Sequence, residues 1–144
     1  MKNNLTTTIS ISINASSSKV WEALTTPALI KQYFFGTDTI SDWKIGSPIS
    51  FKGMWEGKEY LDKGMILESV PEKLFKYTYL SSFSGLEDKI ENYSNITYSL
   101  ATEATGTKIT VTQDNIETEE KVSHSIQGWE IVLNGLKKLL EQNI

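Results

Sequence analysis

GWEIVLNGLKKLLEQ, residues 128–142, reads as the end of one long amphipathic helix. At 100° per residue Ile126, Trp129, Val132, Leu133, Leu136, Leu139 and Leu140 fall within an arc of roughly 140°. Glu130, Asn134, Lys137, Lys138 and Glu141 take the opposite side. An apolar stripe this wide must be buried against a large partner. Two glycines complicate the helix, since each costs roughly 1 kcal/mol relative to alanine in a helix interior. Gly128 and Gly135 are seven residues apart, so they share one flank about 10 Å from each other. They lie at the edge of the arc, beside Val132 and Leu139. That position predicts close approach of the flank to a strand or loop, with Trp129 on the other shoulder facing the partner.

The partner is written upstream. Leu5, Ile9, Ile11 and Ile13 share one parity in LTTTISISI, the pattern of a strand with one buried face. Serines then offer an N-cap before Val20, Trp21 and Leu24, and Pro27 suits the first turn of a second short helix ending at Gly36. From Thr37 the period changes to two, and strands are expected over 37–43, 48–55, 59–70, 74–80, 90–101 and 107–114. Gly46-Ser47-Pro48, Glu56-Gly57-Lys58, Val70-Pro71-Glu72 and Ala104-Thr105-Gly106 separate them as turns. Successive strands with short turns imply an antiparallel meander rather than parallel βαβ units. Residues 81–89 carry no period and are expected to be a loop over a cavity mouth or a wide hairpin end. The last helix opens after Glu117, Glu119 and Glu120, acidic residues suited to the positive end of a helix dipole.

The 144 residues suit a single domain, 1–144, large enough to need no covalent or metal staple. With no cysteine, a thiol nucleophile, a cysteine zinc site and disulfides are excluded. The formal charge is −4 and every basic residue is a lysine, mostly scattered. An acidic, arginine-free chain lacks the electrostatic footprint of a nucleic-acid binder. No stretch reaches the roughly 18 apolar residues of a membrane span, and the N-terminus lacks the apolar run of a signal peptide. The location expected from these features is cytoplasmic.

Landmarks along the chain resemble the activator-of-Hsp90-ATPase-like (AHSA1-type) family of the START/Bet v 1-like (SRPBCC) superfamily. They are Ala15, the run Val20–Thr25, Pro27, Tyr33-Phe34, the run Lys63–Glu68, Pro71, Leu74, the run Gly106–Val111, and Gly128-Trp129 with Leu133, Leu136 and Leu140. Ser16 stands where the family often has proline, and Gly46-Ser47-Pro48 replaces a Gly-Gly turn. The resemblance implies an α+β helix-grip fold: a curved antiparallel sheet, two short helices after the first strand, and a long C-terminal helix across the sheet with a cavity between. Relatives include Hsp90 ATPase activators, binders of lipids or other hydrophobic ligands, and cyclases or dehydratases of polyketides.

No catalytic constellation or cofactor motif stands out. His124 is the only histidine, so a two-histidine metal site is excluded, and its expected place is the exposed first turn of the last helix. No G-x-S-x-G elbow accompanies the serines. Glu56, Glu59, Asp62 and Glu68 lie on or beside the central strands. Strand charges ordinarily face solvent; one facing an apolar cavity would be an acid–base candidate, and Glu68 is the first to test. The aromatic residues carry more. Trp21 and Phe34 read as core of the helical pair. Trp43, Trp55, Tyr60, Tyr77, Tyr79, Tyr98, Trp129 and Leu133 are the candidates to line a pocket, because Tyr and Trp combine an apolar body with one polar tip. The expected partner is a hydrophobic or amphipathic small molecule. The alternatives are a cyclase- or dehydratase-type enzyme, which requires an ionisable group inside the cavity, and an Hsp90-type co-chaperone. Against the last, 144 residues are expected to leave no room for the additional N-terminal domain of full-length eukaryotic co-chaperones, and there is no arginine for ion-pair docking.

Overall fold

The computed structural model describes residues 4–82 and 84–142, with the side chain of Trp55 outside the described set. Strand β1 (Leu5–Ile13) is followed by helices α1 (Ser17–Thr25) and α2 (Pro27–Tyr33). Six strands follow: β2 (Asp38–Ile40), β3 (Pro48–Trp55), β4 (Lys58–Val70), β5 (Leu74–Tyr79), β6 (Ser94–Glu103) and β7 (Gly106–Ile116). Helix α3 (Glu119–Glu141) closes the chain. The strands form one antiparallel sheet in the order β1-β7-β6-β5-β4-β3-β2. The meander therefore runs from β2 to β7, and β1 joins its far edge. The α1–α2 pair carries the chain from one edge to the other. This is the α+β helix-grip architecture.

Local chemistry sets the element ends. The Ser16 hydroxyl accepts from Lys19 N at the start of α1, and Thr118 does the same for Lys121 N at the start of α3. Pro27 occupies the first turn of α2, where its missing N–H costs nothing. On α3, Trp129, Val132, Leu133 and Leu136 are buried against a core that includes Ile66, Phe75, Tyr77, Ile96, Ile109 and Val111. Each such aliphatic or aromatic side chain contributes about 1.5–3 kcal/mol relative to exposure.

Two strand boundaries and one helix contact differ from the sequence expectation. The strand expected over 37–43 contracts to Asp38–Ile40. Beyond it, the Ser41 hydroxyl accepts from Trp43 N and donates to the Pro48 carbonyl, while the Asp42 carboxylate accepts from Lys44 N. These local side-chain bonds replace a ladder, and Trp43 adopts φ 65°. The strand expected from residue 90 begins only at Ser94, because Ile90–Asn92 form a 3-10 turn. The glycine flank of α3 meets a helix rather than a strand or loop. A Cβ at Gly135 would lie 3.2 Å from Tyr33 Cβ on α2, whereas nothing lies within 4 Å of one at Gly128.

Candidate functional site

The site grows from the link between α2 and β2. Phe34 ends α2, and Phe35 (φ 55°) and Gly36 (φ 71°) are both left-handed. Two successive left-handed residues reverse the chain, and the non-glycine one costs about 1–2 kcal/mol. The reversal sends the two rings different ways. Phe34 packs 6.1 Å from Phe51 of β3 in a near-parallel stack and 6.0 Å edge-on from Trp129 of α3. Phe35 stays 46% exposed at the rim.

Two hollows open beside this aromatic pair. The first, about 290 Å³, has walls from Phe34, Phe35 and Thr37 of the link, Phe51 of β3, Tyr60 and Asp62 of β4, and Tyr79 and Ser81 at the end of β5. The second, about 180 Å³, lies between Tyr77, Tyr79 and Ile96 of the sheet and Ser125, Gly128, Trp129 and Val132 of α3. Phe34, Phe35 and Tyr79 border both. The open side of Gly128 is thus explained: it faces the second hollow. A third recess of about 160 Å³ continues from Tyr79 and Ser81 under the 81–89 segment. Outside, a hollow of about 400 Å³ is bordered by Ile40, Ser41, Asp42, Pro48 and Ser50 alone. It is larger, but it draws on one sheet edge and has no aromatic wall.

The polar groups of the first hollow form two hydrogen-bonded sets. Asp62 is 7% exposed. Its Oδ2 accepts from the Tyr79 hydroxyl at 2.6 Å, and its Oδ1 accepts from Ser82 N at 2.7 Å and Ser82 Oγ at 3.1 Å. Opposite, the hydroxyls of Thr37 and Tyr60 are 2.5 Å apart. Gly53, paired with Tyr60 across β3 and β4, makes room for that ring, since a Cβ there would collide with it. In the second hollow, Gln113 Oε1 accepts from Trp129 Nε1 at 2.9 Å and from Ser125 Oγ at 3.0 Å. Deeper in, the hydroxyls of Tyr77 and Tyr98 share a bond of 2.8 Å.

Burial pushes the Tyr79 phenol well above the usual range, and the Asp62 charge and hydrogen bond raise it further. Burial does the same to Tyr77, assisted by Tyr98, and to Tyr33 and Tyr98. These phenols stay protonated at neutral pH and act as hydrogen-bond donors, not as bases or nucleophiles. Among the described residues no group of three or more His, Asp or Glu is placed to hold a metal.

Over residues 14–141 the chain matches the family described as activator of Hsp90 ATPase homolog 1-like protein. A solution structure from Cytophaga hutchinsonii is 43% identical, covers 99% of this chain and 97% of its own, and superposes with a TM-score of 0.84. The protein belongs to the AHSA1-type family. Two more distant likenesses concern the fold alone. One is the Aha1 dimer from Colwellia psychrerythraea: 24% identity, 95% of this chain, 96% of that one, TM-score 0.75. The other is DynU16, from the dynemicin biosynthetic locus: 18% identity, 96% of this chain but 48% of that one, TM-score 0.81. No functionally curated protein matches.

Within this AHSA1-type frame the sequence candidates separate. Tyr60 and Tyr79 line the first hollow; Tyr77, Tyr79 and Trp129 line the second. Trp43 and Tyr98 border neither hollow; they meet an interior gap of about 10 Å³, Tyr98 in the core and Trp43 packed against it. Leu133, 2% exposed, is core as well and borders none of these spaces. The side chain of Trp55 lies outside the described residues. Glu56, Glu59 and Glu68 are exposed, and so is His124. Asp62 departs from the expectation that strand charges face solvent. It shares the inward parity of Tyr60 and Ile66 on β4. Glu68 would share it too, but an extra residue between Ile66 and Glu68 shifts the register and turns Glu68 outward. Phe34, Phe35, Phe51 and Asp62 were not among the pocket candidates. The tight Phe34-Phe35-Gly36 reversal is the signal that could have pointed to the first two.

Proposed function

We propose that this protein is a small-molecule binder whose hydrophobic or amphipathic ligand occupies the paired hollows around Tyr79. The observation that carries this reading is the first hollow: aromatic walls with a few polar groups, the composition of a site that holds an apolar body and orients it by few bonds. The second hollow shares Phe34, Phe35 and Tyr79 with the first and is bordered by α3, which suits a long ligand that passes these side chains and lies under the helix. The test is extraction of the purified protein with organic solvent, followed by a thermal-shift screen of lipids and polyketides on the extracted protein. A co-purified apolar species or a stabilising compound supports the reading. Finding no co-purified species and no stabilising compound overturns it.

An enzymatic reading, of the cyclase or dehydratase kind, has one observation in its favour: Asp62 supplies the ionisable group that such chemistry needs inside the cavity. Turnover of a bound polyketide-like compound that disappears in Asp62→Asn, while binding persists, would establish it. A co-chaperone role is suggested by the family description and is tested by adding the protein to an Hsp90-type ATPase. Unchanged ATP turnover would remove it.

A further inference from the structure

Asp62 is a buried carboxylate in an aromatic wall, and its partners define what is missing. Its three hydrogen bonds all come from donors: the Tyr79 phenol, the Ser82 amide and the Ser82 hydroxyl. Ionised carboxylates offer about four acceptor positions. Oδ1 uses two on Ser82 and Oδ2 uses one on Tyr79, which leaves Oδ2 with acceptor capacity on a side chain that lines the hollow. Among the described residues, no lysine pairs with Asp62. The neighbouring Lys63 pairs with Asp88, and Lys52, across β3, pairs with Glu59. Buried charges are normally compensated by an opposite charge, and this one has only neutral donors.

The walls around it favour a cation. The side chains of Phe34, Phe35, Phe51, Tyr60 and Tyr79 border the same hollow. Aromatic faces attract positive charge and gain most when that charge is desolvated. A carboxylate flanked by rings disfavours an anionic head group, and the overall charge of −4 acts in the same direction.

We infer that the ligand of this cavity is a cationic amphiphile, with an ammonium-type head at Asp62 among the rings and an apolar tail directed past Phe34 toward α3. Asp62 then has two tasks on one side chain. Through Oδ1 it ties the 81–89 segment to β4, and through Oδ2 it receives the ligand's N–H. This inference rests on the small-molecule reading above and narrows it to one head-group chemistry.

The experiment uses three probes of equal tail length at neutral pH: octylamine, 1-octanol and octanoate. Binding is followed by NMR titration of the full chain. The expected result is octylamine bound at least about ten-fold more tightly than the other two, the scale of a hydrogen bond to a charged group. Asp62→Asn should erase that preference. Contacts from the methylene beside the nitrogen to the Tyr60 and Tyr79 rings should be visible in the wild-type complex, a measurement that stands even if Asp62→Asn does not fold. If 1-octanol or octanoate binds as tightly as octylamine, or if the head-group contacts lie elsewhere, the inference is overturned and the apolar-cavity reading survives. If none of the three binds, both are overturned.

Discussion

The Tyr79 hydroxyl donates to Asp62 Oδ2 at 2.6 Å, joining the last residue of β5 to an inward-facing carboxylate of β4. The bond sits where the sheet meets the cavity, so it bears on both stability and the shape of the site. Tyr79→Phe removes the donor and leaves Ser82 holding Oδ1. The expected cost is about 1.5–3 kcal/mol, the range for hydrogen bonds to charged groups. Chemical denaturation checks it. A loss under about 0.5 kcal/mol would mean that water replaces the phenol without penalty.

The buried phenols make the fold sensitive to alkali. Tyr33, Tyr77, Tyr79 and Tyr98 all have pKa values raised by burial. A raised folded-state pKa stabilises the fold fully below the unfolded value near 10 and progressively less above it, because only the unfolded chain releases the protons. Phenolate absorbance should therefore show these four ionising together with unfolding, above pH 10. Reversible ionisation of all six tyrosines in the folded protein at that pH would contradict the burial.

Gly64 tests the close pairing of β4 and β5. A Cβ there would strike the backbone carbonyl of Thr78, whose hydroxyl accepts from Met65 N at 2.9 Å. Backbone cannot swing aside as a side chain can, so the strands must part. Gly64→Ala should destabilise by about 2 kcal/mol or more, above the usual overpacking minimum of about 1 kcal/mol. Thermal or denaturant melting gives the answer.

What the chain announced and what it withheld follow from the range of the interactions involved. The apolar arc on α3, the parity of β1 and the turn residues are local signals, and each appeared as an element. Family landmarks such as Gly64 and Gly128-Trp129 set the order of the whole. The site was less legible because its geometry depends on pairing across strands. Tyr98 and Trp43 look like pocket residues by type, but only their neighbours show that they pack in or against the core. Glu68 and Asp62 differ by six residues and would share parity in an unbroken strand; one inserted residue in β4 separates their fates. Bulges of this kind leave little trace in a single sequence.

The two glycines of α3 should respond in opposite ways. Gly128→Ala adds a methyl in open space and removes backbone entropy from the unfolded chain, so it should stabilise by about 0.5–1 kcal/mol while narrowing the second hollow. Gly135→Leu must push α3 away from Tyr33 and should destabilise by about 1–3 kcal/mol. Equal melting of the two variants would show that the α2–α3 contact is loose.

The C-terminal end of α3 is fastened by Glu141, whose carboxylate accepts from Asn14 N at 2.9 Å and from Lys137 Nζ at 2.6 Å. Lys137 also donates to the Ser12 carbonyl at 3.0 Å, so the pair clasps the end of β1. The Asn14 amide first, then Lys137, hold the Glu141 carboxyl below its ordinary range. A depressed folded-state pKa gives stability that is present above the unfolded value near 4.3 and lost as pH falls through the lower folded value. Glu141→Gln should therefore lower Tm at neutral pH, and the difference from wild type should shrink toward zero in acid below the carboxylate range. The contribution is exposed and partly screened, so added salt should reduce it as well. A Tm gap that stays constant from neutral pH to about pH 2 would show that the variant acts through packing and not through the charge.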